Sequence, residues 1–177
     1  PIKLLEFNAD TPTSLYETAI IQWAMLKANG MDEAKQFNTV FEALKENFKR
    51  LVVLGGDTDD FAQYYDGWKI LFSSIRGSIE DENTTRLLQI AANEAGFYTD
   101  FAYVDEVGFN GKEGIFKGDE NFEFWFKLIP WENIAIEEGD LSLLLDEIIK
   151  EQRAIVLNPA YTLLFQSKAF MKVLWDL

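Results

Sequence analysis

Three short apolar runs most constrain what this chain can fold into: WKILFSS (68–74), YTDFAYV (98–104) and FEFWFKL (122–128). Each has the length of a buried strand and lies between breakers or segments of helical periodicity. Trp68 to Ser74 is followed by a loop at Ile75 to Asp81 and a predicted helix over 82–95 that closes on Gly96. Tyr98 to Val104 then alternates as a strand should. This succession of strand, loop, helix and strand is the α/β rhythm.

The remaining elements follow from the same periodicities. Residues 2–9 (IKLLEFNA) are predicted as a first strand. Ser14 then reads as an N-cap, with Glu17 completing a capping box, and the helix it opens runs to about Ala28. Phe37, Val40, Phe41, Leu44 and Phe48 recur at helical spacing and predict a second helix over 32–50. Gly114–Lys117 and Phe122–Leu128 flank a four-residue turn and predict a β-hairpin. A helix over 140–151 directs Leu141, Leu144, Leu145 and Ile148 inward. A brief strand at 155–157 and a last helix over 167–175 end the chain. The expected fold class is α/β, a mixed sheet with flanking helices and a β-hairpin, in a single unit over 1–177.

Composition excludes several chemistries. The 177 residues contain neither His nor Cys, which removes the Ser-His-Asp triad, cysteine nucleophiles and histidine- or thiolate-held zinc. Any bound metal is then a hard ion held by oxygens, such as Mg²⁺. A net charge of −14 argues against nucleic acid, whose phosphates it would repel. No run approaches a membrane span and no basic stretch followed by an apolar one reads as a signal peptide, so the expected location is cytoplasmic by default, with no membrane partner. Pro1 stands where the first strand has already begun. The chain is therefore expected to be a piece of a longer protein.

Five groups of residues carry candidate chemistry. Glu6 and Asn8, two apart on a strand, share one face, and a carboxylate beside an amide oxygen suits Mg²⁺; a solvated polar stripe is the alternative. Thr11, Thr13 and Ser14 crowd hydroxyls behind them, either for a ligand or as ordinary turn and cap chemistry. Glu80-Asp81-Glu82 precedes a helix where the dipole favours acids, and would also form an anionic pocket for an ammonium group. Asp57, Asp59 and Asp60 pose the same choice in a loop. Lys168 begins a helix, where a positive charge opposes the dipole and a bound phosphate would offset the cost; a surface lysine is the alternative.

Taken in order, these blocks resemble the glutathionylspermidine synthase family. EFNADTPTSLYETAIIQW is similar to its E-Y-N-A-D and T-P-T-S signature, and IEDENTTRLLQIAANEAGF to the acidic pair before a helix ending A-G-F. FEFWFKLIPWENI resembles its F-K-L-Y-P-x-E-W stretch, and PAYTLLFQSKAFMKVLWDL its N-K and L-W block. Phe7 replaces the usual Tyr and Ser167 the usual Asn. The T-P-T-S form is similar to the stand-alone branch of the family.

The resemblance implies part of an ATP-grasp ligase. ATP activates a carboxylate, the glycine end of glutathione in that family, as an acyl phosphate, and an amine such as spermidine attacks it. It implies ATP and Mg²⁺ as cofactors, with Glu6 and Asn8 as metal ligands and Lys168 at an ATP phosphate. Thr11 and Thr13 would then lie at the acid substrate, and Glu80 and Asp81 at the polyamine. An arginine and an aspartate of the family lie upstream of Glu6 and further ATP-binding residues lie downstream of Leu177, so these 177 residues are expected to be inactive alone. The competing expectation is a non-catalytic acidic module that binds a polyamine or a protein.

Overall fold

The computed structural model describes residues 7–36 and 38–177. Its centre is a sheet of four parallel strands, β1 (Lys69–Ser74), β2 (Tyr98–Tyr103), β6 (Phe124–Leu128) and β7 (Ile155–Val156), in the order β2-β1-β6-β7. A separate antiparallel sheet joins β3 (Val107–Asn110), β4 (Gly114–Lys117) and β5 (Glu120–Phe122). The α/β class holds, with the parallel and antiparallel pairings divided between two sheets.

Alternation along β1 sorts the core into two layers. Ile70 and Phe72 point to one face and meet Leu88, Ala91 and Ala92 of α4 (Ile79–Glu94), with Phe48 of α2 (Val40–Val53) behind them. Leu71 points to the other face, where Trp125 of β6 packs with Ile134 of α5 (Trp131–Glu137) and with Leu145 and Ile148 of α6 (Gly139–Lys150). Parallel strands covered on both faces need apolar side chains at successive positions, and β6 is buried at all five. Trp125 is fully buried, and truncating such a residue to Ala costs about 3–5 kcal/mol.

Several boundaries move from their predicted places, each for a local reason. Helix α4 begins at Ile79, because the Ser78 hydroxyl caps it by accepting from the Asp81 amide at 3.3 Å. Glu80 and Asp81 thus lie within its first turn rather than in a preceding loop. The predicted hairpin is split at Glu123, whose carboxylate accepts from the Lys69 amide at 2.7 Å. Residues 120–122 turn back on β4, with Lys117 opposite Glu120. Gly118, at φ +59°, opens a two-residue turn in place of the expected four. Residues 124–128 instead join the parallel sheet, and β3 is a strand the periodicities missed.

The N-terminal arm also differs. Residues 2–6 of the predicted first strand lie outside the described residues, and residues 7–9 are not in a strand. Ser14 does not cap a helix with Glu17. It takes φ +59°, and its carbonyl accepts from the Thr18 amide at 3.1 Å and the Thr18 hydroxyl at 2.6 Å. A π-helical turn, Glu17–Ile21, then leads into α1 (Gln22–Ala28). The predicted 32–50 helix divides into a 3-10 turn, Glu33–Lys35, and α2, which starts at Val40. At the other end of the chain, α7 (Thr162–Gln166) precedes α8 (Lys168–Asp176), and Phe165 packs on Phe170 with ring centres 5.1 Å apart. Among the described residues, no helix is long and apolar enough to cross a membrane.

Candidate functional site

Strand order locates a crevice. Chain leaving β1 crosses by α4 on one face to β2, and chain leaving β6 crosses by α5 and α6 on the other face to β7. The direction of winding therefore reverses between β1 and β6. Ligands of open α/β sheets bind outside the carboxyl ends of the strands at such a reversal. Ser74 and Leu128 are the paired residues at that edge.

Immediately outside it lies a buried polar cluster. Asp10 and Lys127 are both wholly inaccessible, with Lys127 Nζ 3.0 Å from Asp10 Oδ1. Asp10 Oδ2 accepts from the Trp131 amide at 2.8 Å, so a residue from the N-terminal arm caps α5. Lys127 Nζ also donates to the Ile129 carbonyl at 2.8 Å and lies 4.4 Å from the centre of the Trp131 ring. Asn158 Nδ2 donates to the Asp10 carbonyl at 2.8 Å and to the Lys127 carbonyl at 2.6 Å. The Trp131 indole donates to the Asn158 carbonyl at 2.8 Å. Burial pulls the Lys127 ammonium down to about 8, with the Asp10 carboxylate opposing that shift.

The cluster places part of the predicted site. Asp10 stands between Asn8, which is exposed, and Thr11 and Thr13, which are half-buried and exposed. Fixing Asp10 therefore holds all three at the carboxyl end of β6. Glu6 lies outside the described residues. Among the described residues no three carboxylates gather as a metal cage; an amide oxygen at Asn8 with a carboxylate two residues upstream is nonetheless a hard, oxygen-only donor set of the kind Mg²⁺ takes.

On the neighbouring strand, the turn after β1 presents the acidic group. Glu80 is exposed and Asp81 half-buried, and neither forms an ion pair with another described residue. Glu82 is already committed, accepting from Arg86 Nε and from the Tyr103 hydroxyl, both at 2.9 Å. Arg86 holds the Glu82 carboxyl below the usual range, helped by the Tyr103 hydroxyl. Of the three acids, Glu80 and Asp81 are thus the two with open oxygens. Asp57 and Asp60 act locally instead, accepting from the Asp59 amide and the Gln63 amide side chain.

A cleft of about 490 Å³ opens at the same reversal point. Ile75 lines it from the β1 side and Ile129 from the β6 side, with Val107 and Leu141 as further apolar wall. Asp105 and Glu138 supply carboxylates. Arg76 lies between, bonded to Asp105 at 3.2 Å and Glu106 at 2.7 Å and stacked 4.0 Å from the Tyr103 ring centre. A larger groove of about 680 Å³ runs along β7 but has no charged lining.

Lys168 is the exposed first residue of α8, as expected, and makes no ion pair with a described residue. The structure does not bring it against Asn8, Glu80 or Asp81. It lies on the arm that leaves the sheet after Asn158. Residues missed in the sequence are Asp10, Lys127, Asn158 and Trp131. A signal for Lys127 exists: one lysine inside the apolar run FWFKL needs a buried partner.

An α/β domain with a polar crevice at its strand-order reversal is the class that this geometry defines. The chain belongs to the glutathionylspermidine synthase preATP-grasp family, which it matches over residues 1–177. It is also similar to a Haemophilus influenzae protein named "Putative acid--amine ligase", with 31% identity over 177 residues. That alignment covers 98% of this chain and 41% of the relative, so the chain spans about two-fifths of the curated relative's length.

Proposed function

We propose that the protein is an ATP- and Mg²⁺-dependent acid–amine ligase, to which these residues contribute the substrate-facing part. ATP transfers its terminal phosphoryl group to a carboxylate. The neutral amine nitrogen then attacks the acyl carbon, an amide bond forms as the acyl C–O bond to phosphate breaks, and inorganic phosphate leaves with the proton that the nitrogen gives up. Such chemistry relies on positioning and charge neutralisation and needs neither His nor Cys. In this reading Glu6 and Asn8 would hold Mg²⁺, which would neutralise phosphate charge, and Lys168 would meet an ATP phosphate. Thr11 and Thr13 would face the acid, with glutathione as the first candidate. Glu80 and Asp81 would bind the ammonium groups of an amine such as spermidine.

The observation that supports this reading is that two segments follow the carboxyl ends of adjacent strands: the arm tied to β6 through Asp10 and Lys127, and the first turn of α4 after β1. The neighbouring cleft, apolar along its walls and bearing Glu138, which makes no ion pair with a described residue, supports an aliphatic amine as the nucleophile.

ADP release by the full-length protein across a panel of thiol peptides and amines tests it. Release that requires both an acid and an amine is expected, and Glu6→Ala should abolish it. An acidic binding module would instead bind polyamine without ADP release and tolerate Glu6→Ala. The 177-residue chain alone is expected not to bind Mg-ATP, and micromolar affinity by isothermal titration would refute that.

A further inference from the structure

We infer that Lys127 is a positioning residue for ligation: with Asp10 and Asn158 it forms a buried clamp that sets where the Asn8–Thr13 segment stands at the crevice. The inference rests on the ligase reading above. Segment 7–13 has no regular secondary structure, so no helix or ladder bonds hold it in register. Its attachment is instead concentrated at Asp10, whose carboxylate and carbonyl accept from Lys127, Trp131 and Asn158.

A buried ion pair is an expensive way to gain stability. Apolar or neutral replacements of matching shape are often as stable. What the pair supplies is direction, since a hydrogen-bonded carboxylate inside the protein accepts only one placement. Lys127 reaches Asp10 from the penultimate position of β6, a strand buried on both faces and therefore fixed. Its second bond, to the Ile129 carbonyl, fixes the loop that also lines the cleft. One ammonium group thus ties the arm bearing Asn8, Thr11 and Thr13 to the wall of the neighbouring cleft. Displacements of about an ångström at such positions are enough to cost two orders of magnitude in rate.

Three measurements on the full-length protein test the clamp. In the wild type, the Trp131 amide, which donates to Asp10, should exchange with solvent hydrogen only as slowly as the core strand β6. Asp10→Asn/Lys127→Met removes both charges while leaving an acceptor for the Trp131 amide. This variant should keep a near-native thermal midpoint, yet the Trp131 amide should exchange at least tenfold faster, because the segment that carries its acceptor is no longer held. ADP release with glutathione and spermidine as probes should fall at least tenfold, with KM for the acid raised. A purely structural pair would leave KM unchanged once the midpoint is retained. Fast exchange of the Trp131 amide in the wild type overturns the clamp even if every variant misfolds. So does a folded double variant with native turnover. Absence of any acid- and amine-dependent ADP release by the wild type overturns the ligase reading itself, a result distinct from either.

Discussion

Lys127 and Asp10 meet at 3.0 Å across 117 positions of sequence, both without solvent exposure. Neither partner is tolerable there alone. An ammonium group brought into the core loses its hydration, and the only anion it meets among the described residues belongs to a segment without regular structure of its own. The pair therefore makes docking of the N-terminal arm a condition for completing the carboxyl edge of the sheet.

Lys127→Met leaves the Asp10 carboxylate buried without a counter-charge. Such removal of one partner costs about 3–5 kcal/mol. Urea unfolding should show a loss of this size for the single variant and a much smaller one for Asp10→Asn/Lys127→Met. Equal losses in both would mean that the ion pair is not what matters.

Ser78 caps the helix that presents Glu80 and Asp81. Ser78→Ala should destabilise the fold by about 1 kcal/mol, the usual cost of a lost N-cap. Because the cap orients the first turn, spermidine affinity by calorimetry should drop along with it. Ser78→Asp should preserve stability, and an unchanged unfolding midpoint for Ser78→Ala would contradict the capping role.

Acid should loosen the β2 end of the crevice. The Arg76 guanidinium, followed by the Tyr103 amide, holds the Glu106 carboxyl below the ordinary value, as Arg86 and the Tyr103 hydroxyl do for Glu82. Folded-state values below the unfolded 4.5 mean that the unfolded chain binds more protons in this range, so stability rises with pH there. The contribution is complete above 4.5 and is lost as pH falls through the folded-state values. Urea midpoints between pH 7 and pH 3 should decline in the wild type and decline less steeply in Glu82→Gln/Glu106→Gln. Parallel curves would rule these carboxylates out as the source.

Lys168 is exposed and makes no ion pair with a described residue, so Lys168→Met should leave the unfolding free energy in urea within about 0.5 kcal/mol of the wild type. If it meets an ATP phosphate, the same change should weaken Mg-ATP binding by the full-length protein about tenfold. Native affinity would remove Lys168 from the nucleotide site.

Legibility in the sequence followed the range of the physics involved. The strands at 69–74 and 98–103 and the helix at 139–150 were readable because burial on one or both faces imposes a pattern on neighbouring residues. The glycine stop at Gly96, with φ +108°, was local too. Residues 122–128 misled because an apolar run fits either an antiparallel hairpin or a parallel strand. The Glu123 bond to the Lys69 amide, 54 positions away, decides between them. Ser14 misled because capping competes with a left-handed turn whose carbonyl serves Thr18.

For the candidate site, the sequence by itself determined which chemistry the chain can offer: oxygen ligands, carboxylates and a few cations, with no imidazole or thiol. Tertiary structure alone decided how those groups are shared out. It brought Tyr103 to Glu82, left Glu80 and Asp81 without an ion pair among the described residues, and assigned Asp10 to the core rather than to solvent. The reason is distance along the chain. Side-chain type and local periodicity are written within a few residues, whereas burial of a charge such as Asp10 depends on a partner 117 positions away.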